Sequence, residues 1–494
     1  MGGAGTLGSK VASGTFWTVA MRMSIRLIGI VSVIILARVL VPADFGIVAQ
    51  ASMFYSFVEL ITAFGLESAL IQNQTASSRH YDTVWTLNVL RGFVNAMALG
   101  AIAYPASIFL HEPRLNSVVW YYALASLLQG FTNVGTVDFR KELNFNRDFL
   151  FALWSKIAGF VVSIGVALIW RTYWAFVAGV LSSAITTVAT SFWMSRYRPR
   201  FSLSEWRPLY HFSKWVLGSE LLGAISTKLD VFLLSRFSSV DAVGVYTVSY
   251  EIAGTPSTEI AMPVARALMP GLSKVGHDKE NFRSLYLSTL GLVLLVAIPA
   301  GIGVSALAGP ITLVVLGAKW AHAIPFIQIL ALFGVARAVF AVSSPAYISF
   351  GRVDLLAKLS FVNVLLNGFG VTVGLLSAGP IGVAWGVLAA ATCQTLLTLA
   401  MQMRVGILDL RGLAGSCWKV LFAGVAMGLA MSALPLDAAF ASCPPFVALP
   451  IEVVIGATIF CAIVAALWRA PQTRDGPERV FVQYLGARLR VRRN

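Results

Sequence analysis

Long apolar blocks separated by short polar breaks run through the whole chain. Each block has about 20 or more mostly apolar residues, the length of a helix that crosses the hydrocarbon core of a bilayer. Of the 494 residues, 57% are hydrophobic and only 12% are charged, and the mean hydropathy is +0.78. An average soluble chain has about 25% charged residues, and transmembrane barrels alternate in short segments instead. The pattern therefore predicts an all-α polytopic membrane protein.

The blocks predict about fourteen transmembrane helices. The first block is too long for the apolar region of a signal peptide, which has about 7–15 residues, so we interpret it as a retained helix. The cysteines are scattered singly in the last quarter of the chain and have no metal-ligand spacing, so we predict no metal site. The predicted spans are 15–40, 45–66, 83–110, 116–137, 151–170, 173–193, 213–237, 244–270, 285–308, 322–350, 355–377, 380–403, 416–434 and 447–468.

The positive charges follow the predicted spans. The net charge of +15 could suggest a nucleic-acid partner, but the Lys and Arg residues lie beside apolar blocks. With the N-terminus in the cytoplasm, nearly all of those outside helices fall in cytoplasmic segments, and only Arg114, Arg171 and Lys319 fall on the opposite side. This bias predicts cytoplasmic N- and C-termini, no nucleic-acid partner, and contacts between the basic segments and anionic lipids of the inner leaflet.

A sequence repeat relates two distant parts of the chain. Residues 34–48 read IILARVLVPADFGIV and residues 232–246 read FLLSRFSSVDAVGVY. Each piece spans the end of one predicted helix, a short turn and the start of the next. One offset aligns Leu36 with Leu234, Arg38 with Arg236 and Gly46 with Gly244.

A second, shorter sequence repeat supports division of the chain into two lobes. GVLSSA at 179–184 resembles GVLAAA at 386–391, six helices later. An even number of helices per repeat gives two parallel halves, an architecture typical of transporters. We predict an N-terminal six-helix lobe at 1–193, a cytoplasmic inter-lobe linker at 194–212, a C-terminal six-helix lobe at 213–403, helices 13–14 at 404–468 and a basic cytoplasmic tail at 469–494.

Several longer stretches carry a family resemblance. They are LARVLVPADFGIVAQASMFYSFVELITAFGLESALIQ at 36–72, YDTVWTLNVLRG at 81–92, DFRKELNFNRDF at 138–149 and LGAKWAHAIPFIQILALFG at 316–334. The chain resembles the polysaccharide-transport branch of the multidrug/oligosaccharidyl-lipid/polysaccharide flippase superfamily, and more narrowly its exopolysaccharide and O-antigen repeat-unit flippases. The likeness covers essentially the whole chain.

The resemblance implies a function. It implies that the protein flips an undecaprenyl-diphosphate-linked oligosaccharide from the cytoplasmic to the periplasmic leaflet of the bacterial inner membrane, for exopolysaccharide or lipopolysaccharide export. It also implies two lobes with alternating access, no enzymatic activity, and the polymerase and co-polymerase of the same export pathway as candidate partners.

Two arginines lie well inside the first predicted helix. At 1.5 Å per residue from residue 14, Arg22 is about 12 Å and Arg26 about 18 Å deep. A charge at the centre of a membrane helix costs roughly 2.5–3.5 kcal/mol on insertion scales. Two guanidinium groups one turn apart suit the oxygens of a diphosphate, so we interpret the pair as candidate cargo ligands. The alternative is a salt bridge with a carboxylate inside the membrane.

Other charged residues inside predicted spans are candidates for cargo binding, for internal salt bridges or for ion coupling. Arg91, Lys228 and Arg337 are candidates to share a cationic cavity with the first pair, although Lys228 could instead pair with an acid of its own helix. No nucleotide-binding motif is present, and we predict no cofactor, so a proton or sodium gradient is the candidate energy source. Protonation can neutralise a membrane-buried carboxylate. The candidate ion-coupling residues, each of which could alternatively pair with a nearby cation, are Glu59, Glu220, Asp230 and Glu251.

Other readings of the chain stay open. Asn88, Asn95, Asn363 and Asn367 are candidates for hydrogen bonds to sugar hydroxyls, although packing between helices is the favoured interpretation. A second function is export of drugs or of another lipid-linked precursor by the same superfamily, but a cationic cavity suits a cationic drug poorly. A membrane polymerase or glycosyltransferase is a third, and it would need a large outer loop or an acidic catalytic motif, neither of which is visible.

Overall fold

The computed structural model is helical throughout the part of the chain that it describes. The chain divides into two compact units, Met1–Gly244 and Val245–Asn494. The described residues are 3–62, 65–73, 75–205, 228–275, 278–434 and 443–469.

The first unit consists of long apolar helices joined by short connections. A 3₁₀ turn at Val134–Thr136 precedes a short helix between the fifth and seventh helices. The helices are α1 (Gly3–Val39), α2 (Pro42–Ile61), α3 (Leu66–Gln72), α4 (Ser78–Phe109), α5 (Arg114–Gly130), α6 (Val137–Lys141), α7 (Phe145–Trp170), α8 (Trp174–Met194) and α9 (228–237).

The second unit contains most of the next helix and the rest of the chain. A π-helical turn at Thr312–Leu316 and a 3₁₀ segment at Ala318–Ala323 join its short third helix to the fourth. The helices are α10 (Val240–Val275), α11 (Lys279–Ala306), α12 (Ala308–Ile311), α13 (Ile324–Ser349), α14 (Val353–Val405), α15 (Leu410–Ala433) and α16 (Pro445–Arg469).

The described helices confirm a polytopic, all-helical membrane protein. Nine of them are long and apolar enough to cross a membrane, and the bent pair α2 and α3 would make a tenth. The predicted span 213–237 falls largely outside the described residues, and the helix in the predicted span 116–137 has only 17 residues. The total of fourteen therefore stays a prediction.

Helix α14 is a hairpin of two antiparallel arms. Its backbone leaves the helical region at Ala378 and Gly379, where Gly379 has a φ of +61°. A Cβ added to Gly374 would lie 2.0 Å from the carbonyl oxygen of Gly382, whereas a straight helix would hold these residues about 12 Å apart. The arms match the two predicted spans 355–377 and 380–403, which the glycines allow to pack closely.

The two copies of the repeat meet within the first unit. Gly46 lies on α2 and Gly244 in the first turns of α10. A Cβ added to Gly46 would lie 1.9 Å from the carbonyl oxygen of Val240, and one added to Gly244 would lie 1.9 Å from that of Pro42. Pro42 and Val240 are themselves equivalent positions of the repeat, so the two contacts are related by a local two-fold symmetry. A side chain at either glycine would separate the helices.

Buried polar contacts tie the second unit together inside its apolar core. The hydroxyl group of Tyr286 on α11 donates to Gln402 Oε1 at 3.1 Å and lies 3.0 Å from Ser343 Oγ, and therefore joins three helices. Tyr347 donates to the carbonyl oxygen of Thr398 at 2.9 Å. In a membrane these pairings satisfy polar groups that have no water to bind.

The first residues of the predicted inter-lobe linker pack against the first unit. Residues 195–205 follow α8 and pack on the first turns of α4. Tyr197 donates to Asp82, and the backbone N–H of Arg200 donates to the same carboxylate at 2.9 Å. Burial, followed by the hydrogen bond to Asp82, raises the pKa of Tyr197. The rest of the linker and the tail 470–494 lie outside the described residues, so the predicted lobe boundaries stay predictions.

Candidate functional site

Helix α1 packs on α7 along one face and exposes another. Trp17 packs against Phe149 with ring centroids 5.3 Å apart, and Phe145 lies so close to Gly14 that an added Cβ would be 2.5 Å away. The exposed face is apolar, as expected for a surface in contact with lipid. Its residues are Phe16, Val19, Met23 and Leu27.

Arg22 and Arg26 lie on neither of these faces. At about 100° per residue, their side chains point roughly 90° from the exposed stripe and roughly 130° from the face toward α7. Both side chains are half-buried, and both already interact with other groups of the chain. An internal role and a cargo-binding role therefore remain compatible with this pair.

Arg91 lines a polar cavity inside the first unit. The cavity has a volume of about 280 Å³ and lies among α3 to α8. Its wall carries amide, hydroxyl, carboxylate and guanidinium groups, with few apolar side chains. The lining residues are Glu67, Asn88, Arg91, Gln129, Thr132, Asn133, Val134, Thr136, Val137, Arg140, Asp148, Phe151 and Thr187.

The two arginines of the cavity differ in their partners. Arg140 Nε donates to Asp148 Oδ1 at 3.1 Å, and its Nη1 lies 3.6 Å from Glu67 Oε2. The side chain of Arg91 has neither a hydrogen bond nor an ion pair with any described residue. The Arg140 charge is therefore neutralised within the wall, whereas the Arg91 charge is available to an anion that enters.

Glu59 is held by neutral hydrogen-bond donors. Asn95 Nδ2 on α4 donates to Glu59 Oε1 at 3.0 Å, and Ser126 Oγ on α5 donates to the same oxygen at 2.8 Å. Asn95 and Ser126 are 0% and 1% exposed. No cation among the described residues pairs with Glu59, so the alternative of a salt bridge is not observed at this position.

The turn of α2 that precedes Glu59 contacts the cavity wall. Tyr55 lies one turn before Glu59 on α2, and its hydroxyl group donates to Gln129 Oε1 at 3.3 Å. Gln129 is part of the cavity wall. Glu59 therefore lies one helical turn from a residue that contacts the wall.

Lys228 and Asp230 lie on the described part of α9. Lys228 is half-buried and Asp230 is 8% exposed. Asp230 Oδ1 accepts from the backbone N–H of Val231 at 2.8 Å, and the residue has a further interaction. The two side chains form no ion pair with each other. Glu220, the other predicted acid of this helix, lies outside the described residues.

Arg337 lies beside an aromatic cluster in the second unit. Its Nη1 donates to the Tyr250 hydroxyl group at 2.7 Å, and the Tyr250 ring is 5.6 Å from that of Phe333. Arg337 is exposed, and no carboxylate in the described part of the chain pairs with it. Glu251 follows Tyr250 on α10 and is also exposed. The guanidinium group is therefore oriented by a neutral partner.

The structure groups the predicted residues only in part. Among the predicted residues that the structure describes, Arg91 is the one cation that lines the cavity, and Glu59 lies one turn after Tyr55, which contacts the wall. Asn95 joins helices, as favoured, whereas Asn88 faces the cavity. Ser126 and Gln129 were not among the residues predicted from the sequence. Their signal is two polar residues three positions apart, and therefore on one face, in an otherwise apolar helix.

Comparisons with known proteins agree with this architecture. Residues 35–325 match the model of the family described as "Polysaccharide biosynthesis protein". The lipopolysaccharide biosynthesis protein WzxC of Escherichia coli K12 is 25% identical over 403 residues, which cover 81% of this chain and 82% of that protein. The succinoglycan biosynthesis transport protein ExoT of Rhizobium meliloti 1021 is 30% identical over 319 residues, 64% of each chain.

Solved structures share the fold. The lipid II flippase MurJ in its inward closed conformation superposes with a TM-score of 0.74 at 14% identity, over 92% of this chain and 99% of that chain. An inward-facing multidrug resistance MATE family transporter gives a TM-score of 0.64 at 15% identity, over 77% of this chain and 94% of that chain. The family match covers more than half of the sequence. The chain therefore belongs to the polysaccharide biosynthesis protein family that this model describes.

Proposed function

We propose that the protein flips an undecaprenyl-diphosphate-linked oligosaccharide repeat unit from the cytoplasmic to the periplasmic leaflet, by alternating access around a cationic central cavity. The observation that carries this proposal is the polysaccharide biosynthesis family match across a chain of membrane-spanning helices. The names of the relatives, a lipopolysaccharide biosynthesis protein and a succinoglycan transport protein, point to polysaccharide export. The chain is a transporter and not an enzyme.

The intramembrane cations are the proposed ligands of the cargo diphosphate. Arginine binds phosphate oxygens through two parallel hydrogen bonds, and such charge-assisted bonds are about twice as strong as neutral ones. Arg91 and Arg337 have no carboxylate partner among the described residues, so their charge is available to the cargo. The proposed set is Arg22, Arg26, Arg91, Lys228 and Arg337.

Glu59 is the proposed coupling residue, with Glu220, Asp230 and Glu251 as the other candidates. A carboxylate held only by neutral donors can take up a proton without breaking an ion pair, and protonation then removes its charge from the membrane interior. Tyr55, one turn before Glu59 on α2, donates a hydrogen bond to Gln129 in the wall that carries Arg91. A proton gradient, or a sodium gradient, would supply the energy.

We expect Glu59→Gln to uncouple transport from the gradient while the protein stays folded. Glutamine has nearly the same shape and can still accept from Asn95 and Ser126, but it cannot take up a proton. The measurement is cargo transport into proteoliposomes with and without imposed proton and sodium gradients. Glu280→Gln, at an exposed position at the start of α11, is the matched control. An unchanged gradient response in Glu59→Gln would exclude Glu59 as the coupling residue.

The alternative within the superfamily is export of drugs. The MATE likeness shows the fold alone, at 15% identity. Cations without acidic partners would repel the cationic compounds that such a cavity would have to bind. Arg91 and Arg337 therefore favour an anionic cargo.

The membrane location and partners complete the proposal. The chain is a multi-pass membrane protein, and we place it in the bacterial inner membrane with both termini in the cytoplasm. A periplasm-active reporter fused after residue 494 should be silent, and activity there would reverse the orientation. Anionic inner-leaflet lipids, and the polymerase and co-polymerase of the same pathway, are the proposed partners.

A deletion strain tests the function in cells. Loss of the protein should stop polymer export and cause one undecaprenyl-diphosphate-linked oligosaccharide to accumulate on the cytoplasmic leaflet. Mass spectrometry of extracted lipids identifies that intermediate. Accumulation of a shorter, incompletely built oligosaccharide would instead indicate a glycosyltransferase, and accumulation on the periplasmic leaflet would indicate a polymerase.

A further inference from the structure

We propose that the cavity beside Arg91 is a binding subsite for one pyranose ring that carries an anionic group. This inference rests on the proposed function, because it assigns the sugar part of the cargo to a pocket within the first unit. It also assigns Arg91 to the sugar part of the cargo, in place of the diphosphate role that Arg91 has in the proposed set above.

The size of the cavity suits a single sugar. Its volume of about 280 Å³ lies just below the range of roughly 300–1,000 Å³ found for pockets of drug-sized ligands. An oligosaccharide repeat unit as a whole would exceed it, whereas one ring with its substituents would fit within it. The subsite would therefore hold one residue of the cargo and leave the rest outside.

The free hydrogen-bonding groups of the wall define the chemistry of the guest. Asn88 is 9% exposed, and its amide group makes no hydrogen bond with the described residues. Gln129 uses its Oε1 to accept from Tyr55, which leaves its Nε2 as a donor. Buried polar groups are normally hydrogen-bonded, so these amides can exchange cavity water for the hydroxyl groups of a sugar.

Arg91 indicates that the sugar bound in this cavity carries a negative charge. It lies one turn from Asn88 on α4, and it reaches the same cavity without an acidic partner among the residues that the structure describes. Arg140 cannot take this role, since Asp148 and Glu67 already surround it. A carboxylate on the ring, or a phosphate attached to it, would pair with Arg91 in the fork geometry that arginine favours.

One aromatic ring completes the wall. Phe151 lines the cavity from α7. Its ring is apolar, whereas the amide groups of the wall are polar. The C–H face of a pyranose ring is apolar while its edge carries hydroxyl groups, and an aromatic side chain beside polar ones matches both parts of the ring. A phosphate ion or a simple carboxylate would leave Phe151 without a function.

The cavity lies on the side from which the cargo would arrive. Its wall includes Glu67 from the connection between α2 and α4, and Asn133 and Arg140 from the connection between α5 and α7. Two helices lie between these connections, so both are on one face of the membrane, and the charge pattern predicts that this face is cytoplasmic. A lipid-linked oligosaccharide assembled in the cytoplasm would present its sugars there.

Binding of single sugars to the purified full-length protein tests the subsite. The probes are glucuronate, glucose 1-phosphate and glucose, and saturation-transfer NMR detects weak binding of each. We expect both anionic sugars, or the one whose anion matches the cargo, to bind at least about tenfold more tightly than glucose. Preference for glucuronate would identify an acidic sugar of the cargo, and preference for glucose 1-phosphate would identify the sugar attached to the carrier phosphate.

Variants assign the binding to the cavity. Arg91→Gln should remove the preference for the anionic sugar, Arg91→Lys should keep part of it, and Asn88→Ala should weaken binding of every probe that binds. Arg79→Ala, an exposed arginine of the same helix that does not line the cavity, is the matched control. Thermal unfolding of each variant checks that it is folded.

Two outcomes would overturn the subsite. One is that none of the three sugars binds the wild-type protein; the other is that folded Arg91→Gln and Asn88→Ala bind them as the wild type does. Binding of the complete undecaprenyl-diphosphate-linked oligosaccharide is measured in parallel. If the wild type binds the complete cargo in either case, the proposed function stands and only the subsite is wrong. If it binds sugars but not the complete cargo, the proposed function fails.

Discussion

Replacing Gly46 by leucine is expected to abolish polymer export and to lower the melting temperature strongly. An added Cβ alone would lie 1.9 Å from the Val240 carbonyl oxygen, and a backbone atom cannot swing aside as a side chain can. The two copies of the repeat would therefore separate. Overpacking costs typically about 1–3 kcal/mol, so we expect this loss already for Gly46→Ala, and a larger one for leucine. Gly244→Ala should behave like Gly46→Ala, because its Cβ would meet Pro42 in the same way.

Gly165→Ala is the matched control. This glycine lies on α7, and a Cβ added there has no neighbouring atom within 4 Å. Alanine is favoured over glycine in a helix by about 1 kcal/mol, so Gly165→Ala should keep or raise the melting temperature and leave export intact. The measurements are thermal unfolding of the purified proteins and polymer export in the complemented deletion strain. If Gly46→Ala were as stable and active as Gly165→Ala, the close packing of the repeats would be wrong.

Replacing both Arg22 and Arg26 by alanine should abolish export while the protein stays inserted in the membrane. In our proposal these side chains receive the diphosphate of the carrier lipid. A charge-assisted contact to phosphate contributes about 1.5–3 kcal/mol, so each single variant should bind undecaprenyl diphosphate roughly tenfold to a hundredfold more weakly. Lysine at either position should restore part of the affinity, because it keeps the charge but loses the planar fork.

The alternative to cargo binding is that Arg22 and Arg26 only stabilise the packing of the helices. Both arginines already interact with other groups of the chain, so a purely structural role predicts unchanged affinity for undecaprenyl diphosphate and a lower melting temperature. Arg38→Ala, at the exposed end of α1, is the control and should leave affinity unchanged. Lost affinity for undecaprenyl diphosphate at an unchanged melting temperature indicates cargo binding. A lower melting temperature at unchanged affinity indicates a structural role.

The sequence predicted the helical membrane architecture because hydrophobic block length depends on the bilayer and little on tertiary detail. The turn between the arms of α14 was placed correctly between residues 377 and 380, where glycine and proline interrupt the apolar pattern. The repeat was visible as matched residues at 34–48 and 232–246. That its two glycines touch each other could not be read from the sequence, since the contact joins residues almost 200 positions apart.

The candidate site was less predictable, because depth in a helix does not say which way a side chain faces. Arg91 was grouped with the other cations by depth alone, whereas the structure places it in a cavity within the first unit. Glu59 was expected to couple to ions or to pair with a cation, and the donors that hold it, Asn95 and Ser126, come from helices whose packing the sequence does not specify. Neutral partners could not be distinguished from charged ones without that packing.

The most direct test of the proposed function is transport of the cargo itself. Purified protein in proteoliposomes is supplied with a fluorescent polyprenyl-diphosphate-linked oligosaccharide in one leaflet, and arrival in the other is measured by its accessibility to a membrane-impermeant glycosidase. We expect transfer that requires the protein, responds to an imposed ion gradient and is lost in Arg22→Ala/Arg26→Ala. Transfer no faster than in protein-free liposomes, under every gradient tested, would contradict it.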